Sequence, residues 1–261
     1  MLKKVSFIIL ICIMSLSLEA KKINQSECKQ LGDNYIFAGG ECIEYRAYDG
    51  YSNDQITIIV HGTWDAGTNT LGRYAPFAEV MNFNTDLTTI AVALPGYSNS
   101  STNNFEALAH EGVKNLAAKK EYIEFLSKLV EAFKNKYKAT TVNYIGHSAG
   151  AMMGATLTGV SPGLIQNIAL AGGRYDIHKD NKSEGLISLV DVLDQVDKNT
   201  RFLFIYGTKD KISKPEVTTS FFKIMEDKGF DAKLIKVEGA PHLDLDMTTT
   251  AVEAMTEFLG E

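Results

Sequence analysis

Several kinds of protein are excluded by what this chain lacks. It has 26 lysines and arginines against 32 acids, for a formal net charge of −6, and no run of basic residues stands out. A nucleic-acid-binding surface is therefore not expected. There are three cysteines, and none has the histidine neighbours or spacing of a metal site or of a cysteine nucleophile. No metal or cofactor is called for. No internal repeat and no linker-like stretch divides the chain. The polar run Ser98–Asn104 is too short to separate domains. What remains is 261 residues of ordinary globular composition, enough for one large domain with a well-buried core.

The first twenty residues differ from the rest. Lys3 and Lys4 precede the apolar run VSFIILICIMSLSL, and within the EAKK that follows Ala20 supplies a small residue. This is the pattern of a secretory signal peptide over 1–20, with the mature domain over 21–261. The run is short for a transmembrane helix, although an uncleaved membrane anchor is the alternative. Leu18 is bulky for the third position before the cut. A lipoprotein role for Cys12 is disfavoured by bulky Ile11. Cleavage after Ala20 removes Lys3, Lys4 and Glu19 and takes the net charge from −6 to −7. It leaves Cys28 and Cys42, an even pair that suggests a disulfide in an exported protein, with two free thiols as the alternative. The expected location is periplasmic or secreted, with no membrane span after cleavage.

Tyr35–Ala38 and Glu41–Tyr48, joined by Gly39-Gly40, read as an antiparallel hairpin. Beyond it come short, mostly apolar runs: Ile56–Val60, Thr88–Leu94, Thr141–Ile145, Asn167–Ala171 and Arg201–Tyr206. Such runs fit strands covered on both faces. The more polar Lys233–Val237 reads as an edge strand. Helical patterns lie between them, the clearest being Tyr122, Leu126, Leu129, Val130 and Phe133 on one stripe. Further patterns lie around Phe221–Met225 and Val252–Leu259. Strand–helix alternation predicts an α/β fold with a mainly parallel sheet and helices on both faces.

In such a sheet, ligands bind beyond the carboxyl ends of the strands. The run Thr141–Ile145 leads into Gly146-His147-Ser148-Ala149-Gly150. G-x-S-x-G between a strand and a helix is the nucleophile elbow, which exposes Ser148 on a strained turn. By itself the pentapeptide also fits a plain small-residue turn; its place between strand and helix favours the nucleophile. A serine needs a base, and the base needs an orienting acid. Asp210 follows the strand Arg201–Tyr206, and His242 follows the polar strand, giving the chain order Ser148, Asp210, His242. Asp197, Asp244 and Asp246 are competing acids, but none directly follows a strand on the expected side. At the end of Ile56–Val60 stands His61-Gly62-Thr63-Trp64. Here the backbone N–H of Thr63, or of Trp64, is expected to join that of Ala149 in an oxyanion hole. His61 reads as a brace for that loop. Trp64, Tyr97, His147, Arg174 and Tyr175 are candidates to line the substrate site. For Trp64 and Tyr97 the alternative is packing on the scaffold; for Arg174 and Tyr175 it is capping loop carbonyls at the surface.

These features resemble the α/β-hydrolase superfamily through His61-Gly62, Leu94–Tyr97 (LPGY), GHSAG, Asp210 and His242, which span most of the mature chain. The resemblance implies an eight-stranded, mostly parallel sheet and a Ser-His-Asp triad. It is similar to a serine esterase with a short oxyanion motif, since the HGGG of many lipases is absent. Serine at the elbow argues against the aspartate-dependent dehalogenases and epoxide hydrolases of this fold, and no cysteine nucleophile of the dienelactone-hydrolase kind is present. Where many members insert a large cap, Gly172–Thr200 has room for one helix and a loop, so the cap should be minimal. The expected partner is a small ester or acyl substrate. Thioesterase, amidase or peptidase, acyltransferase and non-catalytic binding protein are the alternatives. Oligomeric state is not legible.

Overall fold

A computed structural model describes residues 23–64, 68–96, 115–179 and 181–261. The expected signal peptide and Tyr97 lie outside the described residues. The strands are β1 (Tyr35–Ala38), β2 (Glu41–Tyr48), β3 (Ser52–Val60), β4 (Leu87–Val92), β5 (Thr141–His147), β6 (Asn167–Ala171), β7 (Arg201–Gly207) and β8 (Ala232–Val237). They form one eight-stranded sheet in the order β1-β2-β4-β3-β5-β6-β7-β8. The pairs β1–β2 and β2–β4 are antiparallel, and every pair from β4 to β8 is parallel. The more polar β8 does lie at an edge. From β3 the chain goes first to β4 on one side and then to β5 on the other. That reversal opens a crevice at the carboxyl ends of β3 and β5.

The helices are α1 (Gln25–Gln30), α2 (Thr70–Thr85), α3 (Lys120–Tyr137), α4 (Ala149–Val160), α5 (Leu189–Val192), α6 (Pro215–Asp227) and α7 (Thr249–Gly260). Strand residues alternate between two cores. Ile56, Ile58, Val60 and Tyr144 pack with side chains of α3, α4, α5 and α6. Ile59, Ala91, Ile145, Leu203 and Ile205 pack with those of α2 and α7. Burial on both faces explains why these strands read as unbroken apolar runs. Each large side chain removed from water, such as Phe133 on α3, contributes about 1.5–3 kcal/mol.

Helix α2 is the element the sequence pattern hides. Gly72 and Pro76 lie inside it, and both ordinarily argue against helix. Proline removes one i→i−4 bond. Against that, Tyr74, Phe77, Ala78 and Met81 fall at i, i+3, i+4 and i+7 and are buried together. Asn69 caps the start by accepting from the Gly72 N–H at 2.9 Å.

The expected disulfide is present: Cys28 in α1 is bonded to Cys42 in β2, with Cα atoms 5.5 Å apart. It fastens α1 to the hairpin and, in the chain-entropy model, contributes about 3 kcal/mol by restricting the unfolded chain. The segment after β6 is a series of short turns: Ile177–Lys179, α5, and Leu193–Gln195. Leu189, Val192 and Leu193 are buried in the core with α3 and α4. A Cβ at Gly159 would stand 2.5 Å from the Val192 carbonyl oxygen. This part therefore lies against the C-terminal end of α4, roughly 16 Å of helix away from Ser148.

Candidate active site

Ser148 joins β5 directly to α4. Its φ of 54° and ψ of −114° lie outside the regions open to L-residues, a strain of about 1–3 kcal/mol. The turn is held by the Ser148 N–H, which donates to the Ala171 carbonyl at 2.8 Å, and by the Tyr144 hydroxyl, which donates to the Gly150 carbonyl at 2.8 Å. The flanking glycines are required by space. A Cβ at Gly146 would stand 2.7 Å from the Ala151 nitrogen, and one at Gly150 would stand 2.2 Å from the Val60 carbonyl oxygen. Ala149 is the first residue of α4, so its N–H has no acceptor within the helix and lies at the positive end of the helix dipole.

Asp210 and His242 meet this serine. Asp210 is 3% exposed. One carboxylate oxygen, Oδ1, accepts from the N–H groups of Ile212 and Ser213, both at 2.8 Å. The other, Oδ2, is 2.7 Å from His242 Nδ1, and His242 Nε2 is 2.7 Å from Ser148 Oγ. A carboxylate can only accept, so Nδ1 carries the hydrogen and Nε2 accepts from the serine hydroxyl. Gly172 leaves room for the ring: a Cβ there would stand 3.2 Å from His242 Cε1 and Nδ1. Ser148 is half-buried and the His242 side chain is 16% exposed, so the hydroxyl can be reached from solvent.

The loop after β3 completes the cluster. A Cβ at Gly62 would stand 2.8 Å from Ser148 Cβ, so the chain carrying Thr63 passes directly over the serine. Thr63 is exposed. His61 is buried; its Nδ1–H donates to the Gly62 carbonyl at 2.7 Å and its Nε2 accepts from the Leu94 N–H at 3.1 Å. It thus ties the β3 loop to the segment after β4, as a brace would. Burial, more than any other influence, pulls its pKa down from 6.5 to about 4. In that window the unfolded chain binds a proton that the folded chain refuses, so stability falls as pH falls from 6.5 towards 4. The expected loss is about 3 kcal/mol in all. Denaturant unfolding across this range should show the slope, and His61→Gln should flatten it. An unchanged slope in that variant would reject the assignment.

The substrate-side candidates are mostly committed elsewhere. Trp64 is partly buried, with the Arg73 guanidinium 4.5 Å from its ring centre, and Arg73 is in turn paired with Asp244. It therefore packs on the scaffold. Arg174 donates to the Ile212 carbonyl at 3.0 Å, which is the carbonyl-capping alternative. Tyr175 is a correction: it is 1% exposed and packs on Phe204 and Phe221 at 5.2 and 5.0 Å between ring centres, inside the core. His147 is another. It is 4% exposed, and its Nε2–H donates to the His242 carbonyl at 2.8 Å, so its donor is spent on the protein. Of the rival acids, Asp246 is fully buried, but its carboxylate faces His147 Nδ1 at 3.9 Å. Burial pushes its carboxyl pKa up. Gly172, Tyr74 and Asp246 belong to the site's surroundings, places that no sequence motif marks. Among the described residues no group of three or more His, Cys, Asp or Glu side chains could hold a metal ion, and no helix is long and apolar enough to cross a membrane.

A parallel sheet carrying a serine at a strained strand–helix turn, an acid after β7 and a histidine after β8 defines an α/β-hydrolase architecture. The model of the alpha/beta hydrolase fold family matches residues 58–197, more than half of the chain, and the protein belongs to that family. Solved structures of the same fold include an esterase from Pyrococcus furiosus, with a TM-score of 0.66 at 17% identity over 87% of this chain and 91% of the other. Est1E from Butyrivibrio proteoclasticus, determined with ferulic acid bound, gives 0.59 at 17% identity over 87% and 99%. A monoacylglycerol lipase from Paleococcus ferrophilus gives 0.58 at 16% identity over 84% and 98%. No curated protein matches the chain by sequence.

Proposed function

We propose that the protein is an exported serine hydrolase that cleaves carboxylic esters, built as one mature domain over 21–261. The observation that carries this reading is the unbroken chain Asp210–His242–Ser148, with both links at 2.7 Å, ending on a serine in a strained turn. In the reaction, Ser148 Oγ attacks the ester carbonyl carbon while His242 Nε2 takes the hydroxyl proton. Asp210 holds the imidazole in the tautomer that can accept it and stabilises the imidazolium. The carbonyl oxygen becomes an oxyanion, received by the N–H groups of Ala149 and Thr63. His242 then protonates the departing alkoxide, leaving an acyl-Ser148 ester. Water, deprotonated by His242, hydrolyses that ester and restores the serine.

An ester substrate is supported by the esterase and lipase among the proteins of similar fold. Export is supported by the Cys28–Cys42 disulfide, which persists in oxidising compartments, and by the leader-like first twenty residues. The test is labelling with a serine-reactive fluorophosphonate, beside Ser148→Ala, together with hydrolysis of short- and long-chain acyl esters. The unsubstituted protein should label and turn over esters, and Ser148→Ala should do neither. An unlabelled, inert protein would refute the reading. Anilide cleavage as fast as ester cleavage would reassign it as a peptidase or amidase.

A further inference from the structure

His147 directly precedes the serine, and strand geometry decides where its side chain goes. Alternation along β5 puts His147 on the same face as Ile145, towards α2 and α7, and away from the face holding Tyr144. On that face three groups meet its ring. Nε2 is 2.8 Å from the main-chain carbonyl of His242, Nδ1 is 3.4 Å from the Tyr74 hydroxyl, and Nδ1 is 3.9 Å from Asp246 Oδ1. The His147 and His242 rings are 5.0 Å apart between centres.

Two features mark this cluster. Asp246 is 0% exposed, and neither carboxylate oxygen has a hydrogen-bond partner among the described residues. A buried, unpaired carboxylate is costly unless it is protonated or beside a cation. His147 is the basic group facing it, since Arg73 is taken by Asp244 and His61 by Gly62 and Leu94. The second feature is the weak support of His242. It lies in a loop beyond β8, outside the sheet ladder. Its carbonyl accepts from the Leu245 N–H at 3.4 Å and from His147 at 2.8 Å, so the imidazole supplies the shorter bond.

We propose that His147 and Asp246 act as positioning residues for the base, His147 through its hydrogen bond to the main-chain carbonyl of His242 and Asp246 through its electrostatic contact with the His147 ring. Asp210 orients the His242 ring, and His147 fixes the backbone from which that ring projects. Asp246 Oδ1 lies 3.9 Å from His147 Nδ1, an electrostatic contact that favours the ring orientation in which Nε2–H donates to the His242 carbonyl at 2.8 Å. Because His147 is adjacent in chain to Ser148, the same side chain ties the nucleophile turn to the base loop. The spacing between Oγ and Nε2 is thereby held from behind.

This inference rests on the serine hydrolase reading, and the experiment separates the two. Rates of fluorophosphonate labelling, and kcat and KM for an ester, are measured for the unsubstituted protein, His147→Phe, His147→Gln and Asp246→Asn, with thermal unfolding of each. Phenylalanine fills the space but cannot donate, so labelling and kcat should fall about thirtyfold, a misplaced-base effect, with KM changed less than about threefold. Glutamine places an N–H near the position of Nε2 and should recover about tenfold of that loss. Asp246→Asn should lower kcat by about fivefold, again with little change in KM. A folded His147→Phe that labels at the unsubstituted rate overturns the proposal. So does a His147→Gln as slow as His147→Phe, which would mean that filling the space is all the site requires. If His147→Phe does not fold, Asp246→Asn decides, and an unchanged kcat there overturns the proposal. An unlabelled unsubstituted protein overturns the hydrolase reading and this inference with it.

Discussion

Ser148→Ala is expected to lower kcat for ester hydrolysis by about 10⁴-fold or more, and Ser148→Ala with His242→Ala by no more than the worse single change. The reason is the linkage of the hydrogen bonds. His242 Nε2 accepts from Ser148 Oγ at 2.7 Å, and neither group has chemistry to perform without the other. Once the hydroxyl is gone, removing the base costs almost nothing further. Asp210→Asn should cost nearly as much for a different reason. Its Oδ1 would still accept from Ile212 and Ser213. Its amide would then face His242 Nδ1 as a donor and drive the ring into the tautomer whose Nε2 bears hydrogen, which cannot accept the serine proton. Steady-state rates with a short-chain ester, and active-site titration to count competent molecules, check both statements. Losses that add in the double variant would mean that the two residues do not act as a unit.

The parts of this site that can be read from sequence are those fixed by position along the chain. Ile56–Val60 and Thr141–Ile145 read as buried strands because both faces of the sheet are covered, and strand ends then nominate the residues that follow them. Ser148, Asp210 and His242 are nominated in this way, and their side chains meet in the structure. Side-chain direction is not legible. Tyr175 follows β6 as a pocket residue would, yet Gly172, with φ of +61°, turns the chain and the ring enters the core beside Phe204. His147 sits in the elbow pentapeptide, but strand alternation sends it behind the serine. Asp246 reads in sequence only as a rival to Asp210, because its partner His147 is 99 positions away in the chain and close only in the fold. Helix α2 is hidden by Gly72 and Pro76, whose local cost is outweighed by the long-range burial of Tyr74, Phe77 and Met81.

Gly150→Ala should be severely damaging for a single added methyl, costing more than about 4 kcal/mol of stability. Helix preference alone would favour alanine by about 1 kcal/mol, so the expected sign comes from space. The added carbon would lie 2.2 Å from the Val60 carbonyl oxygen, 2.7 Å from the His61 carbonyl oxygen and 2.8 Å from the Val60 carbonyl carbon. All three are main-chain atoms of a strand end paired into the centre of the sheet, so no rotamer change relieves the contact. Gly260→Ala is the control, because a Cβ there meets nothing within 4 Å. It should leave stability within about 1 kcal/mol of the unsubstituted protein. The two variants can be compared by denaturant unfolding. The consequence reaches function as well. Val60 and His61 lead into Gly62-Thr63, so any relaxation that accommodates the added methyl shifts Thr63, the proposed oxyanion donor, relative to Ser148. Molecules of the variant that still fold should therefore label with fluorophosphonate far more slowly. Unchanged stability and labelling in Gly150→Ala would show that the close approach of α4 to β3 does not set the spacing between Ser148 and the proposed oxyanion donors.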